Sequence, residues 1–591
     1  MKKKARIVSS ILTFTIAATM LAGCGGSKTA KAGKDTTFSW WIYSGADSSY
    51  YTEYSENPAV QYSLTKGWGD EQKGISFEFW QPASGTSLDN YSTMIASGDL
   101  PDIIDAVVSD PPSIMCEKGY ALDITEYVEA YMPNYVALVH SNDSILKNTV
   151  TVKDGEEHYY YLANIQDKPE PVFQGYMYRR DWIVKYGTNP ETGAAFTGGY
   201  TDPENVDSWE DDVVFPSGET NPVYISDWEW MFDIFTKAQA DLGIDDSYCL
   251  SLYYPGFTWS GGLVSSFGGG TNVWSQDVDG KVRFGGDSIQ FRTYLECMNS
   301  WYEKGWLDKN FNERTSDAFY AIDSTSVRQG KVGMWNGQQS ELGGRIDAHD
   351  GGLTDGIYVA GCAYPINDIY GPEECKNCVP DCVMGGEIVS GGVLITPTAK
   401  DKDLATLFSY FDYFYSEEGA LLRTLGLSKE QVDEFSANSF YADYGLENGA
   451  YSIGDDGKYL KSDVLVNDSG NLLSASRFEK APGLTLVENV DLGYEDNFQA
   501  SLDEWGRYEN TGFFQGSITT NSMTPEDGKF CDELRSKLIE FMTNNAVDFI
   551  KGSKDINSDS DWENWCKTMK KYNYQKATDI YQIYVDEHPF R

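Results

Sequence analysis

A strand–helix–strand pattern near the start of the chain most constrains the fold. Residues 37–43 ("TFSWWIY") and 74–82 ("GISFEFWQP") are rich in β-branched and aromatic residues, and the second run alternates apolar with polar side chains. An amphipathic helical stretch then ends at Gly98, and residues 101–108 ("PDIIDAVV") follow as a buried strand. Strand, helix and strand at this spacing predict the parallel sheet of an α/β fold.

Further elements extend the same architecture. Ser226 and Glu229 have the spacing of a capping box, which predicts that a helix begins there and ends near Gly243. Asp-Gly pairs between β-prone residues predict hairpin tips at Asp154, Asp279 and Asp456. Because the chain has 591 residues, one hydrophobic core is not enough, and we expect two or more domains.

The first residues have the plan of a bacterial export signal. A basic head ("MKKKAR") precedes an apolar run over residues 7–22, which is shorter than the roughly 20 residues of a membrane span. The run ends in "LAGC", which resembles a lipobox whose cysteine, Cys24, receives a diacylglyceryl group before cleavage. The alternative is an ordinary signal peptide with a chance cysteine. Lipidation at Cys24 predicts stable membrane anchoring through the acyl chains.

Charge and composition narrow the class of partner. The net charge is −44, so the surface repels nucleic acid and anionic lipid, and we expect no nucleic-acid partner. Aromatic residues make up 14% of the chain, with 40 Tyr and 16 Trp. Their flat apolar faces and polar edges suit sugar rings, although many must simply pack in cores.

The cysteines leave three states open. There are ten cysteines, and if Cys24 is lipidated the remaining nine cannot all pair within one chain. Cys375, Cys378 and Cys382 lie close together, with Cys362 upstream. Four thiolates could bind zinc, and the spacing of Cys375 and Cys378 is typical of metal sites. The spacing of Cys378 and Cys382 is irregular, so a local disulfide or free thiols are favoured.

Local motifs for catalysis or for a cofactor are absent from the sequence. The four histidines form no metal-binding pair, and no nucleophile elbow, Walker loop or dinucleotide fingerprint occurs. The acidic clusters at 209–212 and 245–246 lack the alternating oxygen ligands of a calcium loop. We therefore expect no catalytic residue, no cofactor and no metal.

Five separated segments resemble one family, the extracellular solute-binding proteins of ABC importers, in the broad group that includes maltose-binding protein. The chain looks like the large lipoprotein branch of Gram-positive bacteria. The segments follow in family order, at 90–104 ("NYSTMIASGDLPDII"), 175–187 ("GYMYRRDWIVKYG"), 278–311, 328–337 ("RQGKVGMWNG") and 391–422.

The resemblance implies a two-lobe, type II α/β fold with a hinge and an interlobe ligand cleft. The chain crosses between the lobes near 172–178 and returns near 388–393. The implied divisions are a signal peptide (1–23), a tether (24–35), lobe one (36–172 plus 390–450) and lobe two (173–389 plus 451–591).

The resemblance also implies ligand contacts. Ser109 and Asp110 follow "PDII" on a loop that faces the cleft in the family, and they are expected to bind ligand hydroxyls. Aromatic residues expected at the cleft are Trp40, Trp41, Tyr43, Tyr254, Trp259 and Trp335. Core packing is the alternative for each tryptophan. Asp105 and Ala106 replace the aromatic that follows "PDII" in the maltose binder, so maltose-like specificity is not expected.

The function implied is non-enzymatic capture of a carbohydrate, with an oligosaccharide favoured, and delivery to a membrane permease. The protein is expected to be a monomer, lipid-anchored on the outer face of the plasma membrane. A peptide-type solute is the alternative within the same fold. An anchored glycoside hydrolase with two carboxylates is the alternative from another class.

Overall fold

The structure is a computed structural model of the chain. It describes residues 35–587 except 46–48, 84–85, 107–108, 154, 170–171, 173, 253–261, 271–272, 278, 314–323, 345–355, 381–387, 436–437, 467–470, 492–495 and 509–522.

The strands are short, and most belong to two sheets. They are β1 (Thr37–Trp41), β2 (Ser76–Trp80), β3 (Ile103–Asp105), β4 (Thr151–Lys153), β5 (Glu156–His158), β6 (Leu162–Gln166), β7 (Gln174–Arg179), β8 (Gly198–Tyr200), β9 (Trp209–Asp211), β10 (Tyr248–Leu250), β11 (Trp274–Gln276), β12 (Val282–Phe284), β13 (Val332–Gln338), β14 (Val359–Cys362), β15 (Val389–Ile395), β16 (Tyr451–Ile453), β17 (Tyr459–Lys461), β18 (Leu484–Thr485) and β19 (Val490–Asp491).

The helices surround these sheets. They are α1 (Pro58–Ser63), α2 (Ser87–Ser97), α3 (Pro112–Glu117), α4 (Thr125–Tyr131), α5 (Pro133–Val139), α6 (Asp143–Thr149), α7 (Arg180–Tyr186), α8 (Ile225–Leu242), α9 (Ile289–Glu303), α10 (Ser324–Arg328), α11 (Leu404–Tyr413), α12 (Glu417–Thr424), α13 (Lys429–Glu434), α14 (Phe440–Asp443), α15 (Asp463–Val466), α16 (Leu472–Ser476), α17 (Asp496–Gly506), α18 (Pro525–Ile550), α19 (Asp559–Lys571) and α20 (Tyr574–Glu587). No described helix is both long enough and apolar enough to cross a membrane.

The first sheet has six strands in the order β18-β6-β15-β3-β1-β2. Strand β1 pairs in parallel with β2 on one side and with β3 on the other, which confirms the predicted strand–helix–strand arrangement. Helix α2 lies between β2 and β3 and ends where Gly98 adopts the left-handed conformation (φ 73°), as the sequence predicted. Large aromatic side chains fill the core of this sheet, with Trp40 against Phe79 and Phe411 at ring-centroid distances of 5.5 Å.

The second sheet has four strands in the order β10-β13-β7-β14. It has its own core, in which Trp228 and Trp301 from helices α8 and α9 are fully buried. Helix α17 covers the edge strand β14 so closely that Gly361 admits no side chain, since a Cβ there lies 2.9 Å from the indole nitrogen of Trp505. Helix α18 packs on α9 and α20.

Two lobes follow from these cores. The core of the first sheet draws on residues 38–165 and 389–481, and we call this body the first lobe. The core of the second sheet draws on residues 176–364 and 523–585, and we call this body the second lobe.

The structure changes the expected division of the chain in two places. The segment 451–491 packs on the first lobe, because β18 pairs in parallel with β6 and Phe478 lies in the first core. Strand β15 belongs wholly to the first sheet, so the return crossing lies before Val389. A third passage between the lobes, which the resemblance did not imply, follows β19 and leads to helix α17 on the second sheet.

Local predictions have mixed outcomes. Antiparallel hairpins are present at all three Asp-Gly positions, formed by β4 and β5, β11 and β12, and β16 and β17. The prediction of a capping box at Ser226 was wrong. Helix α8 begins at Ile225 with Tyr224 at its N-cap, two residues before Ser226, and Asp227 caps it by accepting hydrogen bonds from the backbone of Val223 and Tyr224 (2.8 and 3.0 Å). The Ser226 hydroxyl instead donates to Asp368 at 2.6 Å.

Candidate functional site

Five of the six strands of the first sheet have their carboxyl ends at the same edge. Because β1, β2, β3, β6 and β18 run in the same direction, their carboxyl ends lie along one edge, and antiparallel β15 begins at that edge. Ligands of open α/β sheets bind outside the carboxyl ends of the strands. We call this edge of the first sheet the carboxyl edge.

The second sheet turns a corresponding edge toward the first. Strands β10, β13 and β14 are parallel and β7 is antiparallel to them, so Gln174 at the start of β7 lies beside their carboxyl ends. Residues 167–173 join Gln166 to Gln174, and a connection of that length spans at most about 25 Å. Helix α3, which follows the carboxyl end of β3, contacts helix α18 of the second lobe. The two lobes therefore meet on the side where the strands end.

A polar cavity of about 160 Å³ lies at the carboxyl edge. Strands β6, β15 and β18 supply one wall, and α12 with the segment after α16 supplies the other. The residues that line it are Asn164, Gln166, Ser390, Arg423, Arg477, Glu479 and Thr485.

The backbone of β15 shapes this wall. Ser390 pairs with Asn164 of β6, and a β-bulge follows it before Gly392 re-enters the ladder. Gly391 and Gly392 have φ values of 36° and 124°, and a Cβ on Gly392 would lie 2.1 Å from the carbonyl oxygen of Leu162. Glycine is required here because the two strands approach too closely for a side chain.

Two arginines dominate the charge of the cavity. Arg423, near the end of α12, is 7% exposed and donates from Nε to the backbone oxygen of Ala481 at 2.7 Å, and it also donates to the Thr485 hydroxyl. Arg477 donates to the backbone oxygen of Thr424 at 3.0 Å and forms an ion pair with Glu479 at 3.0 Å. Arg423 thus ties α12 to the segment that closes the cavity.

Burial and mutual charge shift the ionisation of this group. Burial and the neighbouring charge of Arg477 lower the pKa of Arg423 to about 10, so its guanidinium still carries its charge at neutral pH. Burial raises the pKa of Glu479, but the charges of Arg477 and Lys480 outweigh it, and the net pKa is below its usual value. Glu479 is therefore a carboxylate, and the cavity wall has an excess of positive charge.

Asp105 forms the next part of the carboxyl edge. Its carboxylate accepts hydrogen bonds from the Trp40 indole (3.1 Å) and from the backbone N–H of Tyr43 (2.9 Å). Burial raises its pKa to about 6, although the charge of Lys480 and both hydrogen bonds act in the opposite direction. Lys480 donates to the Ser44 hydroxyl at 2.5 Å, so the segment after α16 runs along the carboxyl edge from β1 to β18.

The structure places three of the four predicted tryptophans in cores. Trp40 and Trp41 are buried in the first lobe, and Trp335 is 0% exposed in a cluster with Val172 and Trp505. Core packing, the alternative that the sequence left open, describes all three in this structure, because no ring face is accessible to a ligand. The Trp335 indole donates to Glu341 at 3.3 Å.

The remaining predicted contacts divide into two groups. Tyr43, Ser109 and Asp110 lie just beyond β1 and β3 at the carboxyl edge, and each is at least partly exposed. The Ser109 hydroxyl donates to the Ala106 carbonyl, and Asp110 pairs with Lys118. Cys24, Tyr254 and Trp259 lie outside the described residues, as does Cys382. Cys362, Cys375 and Cys378 are free thiols.

The sequence did not predict the cavity at the carboxyl edge. Arg477, Glu479 and Lys480 lie in a segment that the sequence assigned to the other lobe, so their charges were not connected with the carboxyl edge. A usable signal was present in "SRFEKAPG" (476–483), where charged residues surround Phe478 and a Pro-Gly pair follows. Such a segment buries its aromatic residue and leaves its charges beside it.

The fold is that of the two-lobe solute-binding proteins. The chain is similar to an extracellular solute-binding protein from Bifidobacterium longum subsp. infantis (TM-score 0.64, 13% identity, covering 95% of this chain and 100% of that one). It is similar to the S. pneumoniae ABC-transporter substrate-binding protein FusA, an EF-hand mutant in complex with fructo-nystose (0.63, 17%, 93% and 99%). It is also similar to the alginate-binding protein AlgQ2 without calcium ion (0.60, 17%, 93% and 98%). No family model matches the sequence, and no curated protein matches it.

Proposed function

We propose that this protein is the substrate-binding component of an ABC importer. It captures a carbohydrate, with an oligosaccharide favoured, in the cleft between the lobes and delivers it to a membrane permease. The observation that carries the proposal is the arrangement of the strand ends. Both sheets turn these ends toward one another across the short connection at 167–173, and that is where a ligand can contact both lobes.

Ligand capture in such an architecture needs no covalent chemistry. A ligand that contacts both lobes stabilises the closed arrangement relative to the open one, and the permease recognises the closed form. Proteins of similar fold include an alginate-binding protein and FusA in complex with fructo-nystose, which favours a saccharide over a peptide.

The lining of the cavity also favours binding over hydrolysis. Glycoside hydrolysis uses two carboxyl groups on either side of the scissile bond. Of the described residues around the cavity, Glu479 alone carries a carboxylate, and Arg477 holds it in an ion pair. We keep Tyr43, Ser109 and Asp110 as proposed ligand contacts, because their positions at the carboxyl edge suit hydrogen bonds to sugar hydroxyls.

A thermal-shift screen tests the proposal. We would use residues 24–591 with Cys24→Ser, against mono-, di- and oligosaccharides and short peptides. At a ligand concentration of 100 times Kd the folded state gains about 2.7 kcal/mol, which raises the melting temperature measurably. Recovery of the intact sugar afterwards supports a transport receptor. Recovery of cleaved sugar contradicts it, and a response to peptides alone overturns the substrate class.

The lipid anchor is part of the same proposal. Cys24 would hold the protein at the outer face of the plasma membrane, with residues 24–35 as a tether. Expression of the full chain in a Gram-positive host, followed by membrane fractionation, tests this directly. The wild-type chain should sediment with membranes and carry an acyl group. The Cys24→Ser variant should carry no acyl group and should not be held at the membrane by one. Equal retention of both chains, with no acyl group detected by mass spectrometry, would contradict the anchor.

A further inference from the structure

Arg423 is a buried cation that forms no ion pair in the part of the chain that the structure describes. Its two hydrogen-bond partners, the Ala481 carbonyl and the Thr485 hydroxyl, are both neutral. A buried charge is costly unless a charge of opposite sign compensates it. Of the charged residues that line the same cavity, Arg477 has the same sign as Arg423. Glu479, whose charge also acts on Arg423, already forms an ion pair with Arg477, so the two arginines share one carboxylate.

A second cavity in the second lobe shows the usual solution. It has a volume of about 410 Å³ and is lined in part by Arg180 and Asp211. There the guanidinium of Arg180 donates to both carboxylate oxygens of Asp211, at 2.6 and 2.8 Å. The charge of Arg180 is thus neutralised within the protein. The protein has a net charge of −44 and therefore many acidic residues, yet none of those described forms an ion pair with Arg423.

The cavity around Arg423 has unused hydrogen-bonding groups and an opening. The Nε of Arg477 and the amide oxygen of Asn164 are buried, and neither has a hydrogen-bond partner in the described structure. Ser390 is exposed and the Arg477 side chain is 25% exposed, so the cavity opens to solvent at the carboxyl edge. Its 160 Å³ is below the roughly 300 Å³ of a complete ligand site, so it accommodates one group of a larger ligand.

We propose that this cavity is an anion subsite of the ligand cleft, and that the captured saccharide is acidic. The anionic group, a carboxylate or a sulfate ester, occupies the space between Arg423, Arg477 and Ser390 and supplies the missing negative charge. Guanidinium groups suit this task because their planar donors match such oxyanions. The inference rests on the proposed function and specifies the class of saccharide.

Matched saccharide pairs test the subsite. We would measure affinities by isothermal titration calorimetry at physiological salt for trigalacturonate against its methyl ester, and for a sulfated galactotriose against galactotriose. We expect the charged member of at least one pair to bind about tenfold more tightly than its neutral counterpart. The pair that shows the preference identifies carboxylate or sulfate as the group bound.

Three variants connect the preference with the cavity. Arg477→Gln removes one guanidinium, and Ser390→Asp retains both arginines but supplies an internal carboxylate that competes with the ligand. Arg283→Gln is the matched control, because Arg283 is an exposed arginine of the second lobe. The charge preference should fall below about threefold in the first two variants and persist in the control.

The outcomes separate the two proposals. If neutral saccharides bind as tightly as charged ones, or if the preference survives in both cavity variants, the anion subsite is overturned and the receptor function stands. If no saccharide binds, while the melting curves show folded protein, the proposed function itself is overturned and the acidic-saccharide inference with it.

Discussion

Replacing Asp105 by asparagine should change the pH dependence of stability in a predictable direction. The carboxylate is 5% exposed, and burial raises its pKa to about 6 from an ordinary value of 3.8. The difference corresponds to about 3 kcal/mol. Because the folded state holds the proton more tightly than the unfolded state, the free energy of unfolding loses this amount as pH rises from about 4 to about 6. The loss is complete at about pH 7.

Asp105→Asn removes this pH-dependent component. The amide is neutral at every pH, so the variant's free energy of unfolding, relative to wild type, should rise by about 3 kcal/mol between pH 4 and pH 7 and then level off. The two carboxylate oxygens now accept from Trp40 and Tyr43, one each, and the amide keeps only one acceptor oxygen, which costs about 1–3 kcal/mol at all pH values. This cost is constant, so it lowers the free energy of unfolding of the variant equally at every pH and leaves the pH dependence of the difference unchanged.

Urea unfolding followed by tryptophan fluorescence at pH 4 to 8 measures the difference. Asp110→Asn is the matched control, because Asp110 lies at the same edge but is exposed. The control should show no comparable rise. A flat difference curve for Asp105→Asn would refute the reasoning, since it would mean that Asp105 titrates alike in the folded and unfolded chains.

Two further substitutions test the packing around the cavities. Gly392→Ala should destabilise the first lobe by more than about 2 kcal/mol, because its Cβ meets a backbone oxygen of β6, whereas Gly74→Ala, in open space, should stay within about 0.5 kcal/mol. Arg180→Gln should cost about 3–5 kcal/mol by leaving Asp211 buried and unpaired, while Lys429→Gln, in an exposed pair, should cost less than about 1 kcal/mol. Chemical denaturation checks both pairs, and equal effects within a pair would contradict the assigned contacts.

The sequence predicted strands β1 to β3 of the first sheet because their signals are local. The alternation in "GISFEFWQP" and the glycine after α2 depend on neighbouring residues only, and both have the expected structure. The capping box at Ser226 failed for a related reason. Several residues near the start of α8 can act as caps, and Asp227 is the one that accepts the free backbone N–H groups. Spacing alone does not distinguish between such candidates.

Tryptophan roles could not be assigned from the sequence. A tryptophan that stacks on a ligand and one that packs in a core have the same local surroundings. Trp335 lies on β13, and only the packing of α17 and neighbouring segments around it decides that its ring is covered. The arginines of the cavity could not be assigned to one site from the sequence either. Arg423 and Arg477 are far apart in the chain, and their shared environment depends on how α12 and β18 meet.

The sequence by itself determined the α/β class, the parallel strand–helix–strand unit and the hairpins, because hydrophobic periodicity and turn residues act over a few positions. Tertiary structure alone decided that residues 451–491 belong to the first lobe, and that their charges face the carboxyl edge. The physical reason is that long-range strand pairing and the burial of Phe478 bring these charges to the cavity. A buried charge with no ion-pair partner, such as that of Arg423, exists only once distant segments have excluded water from around it.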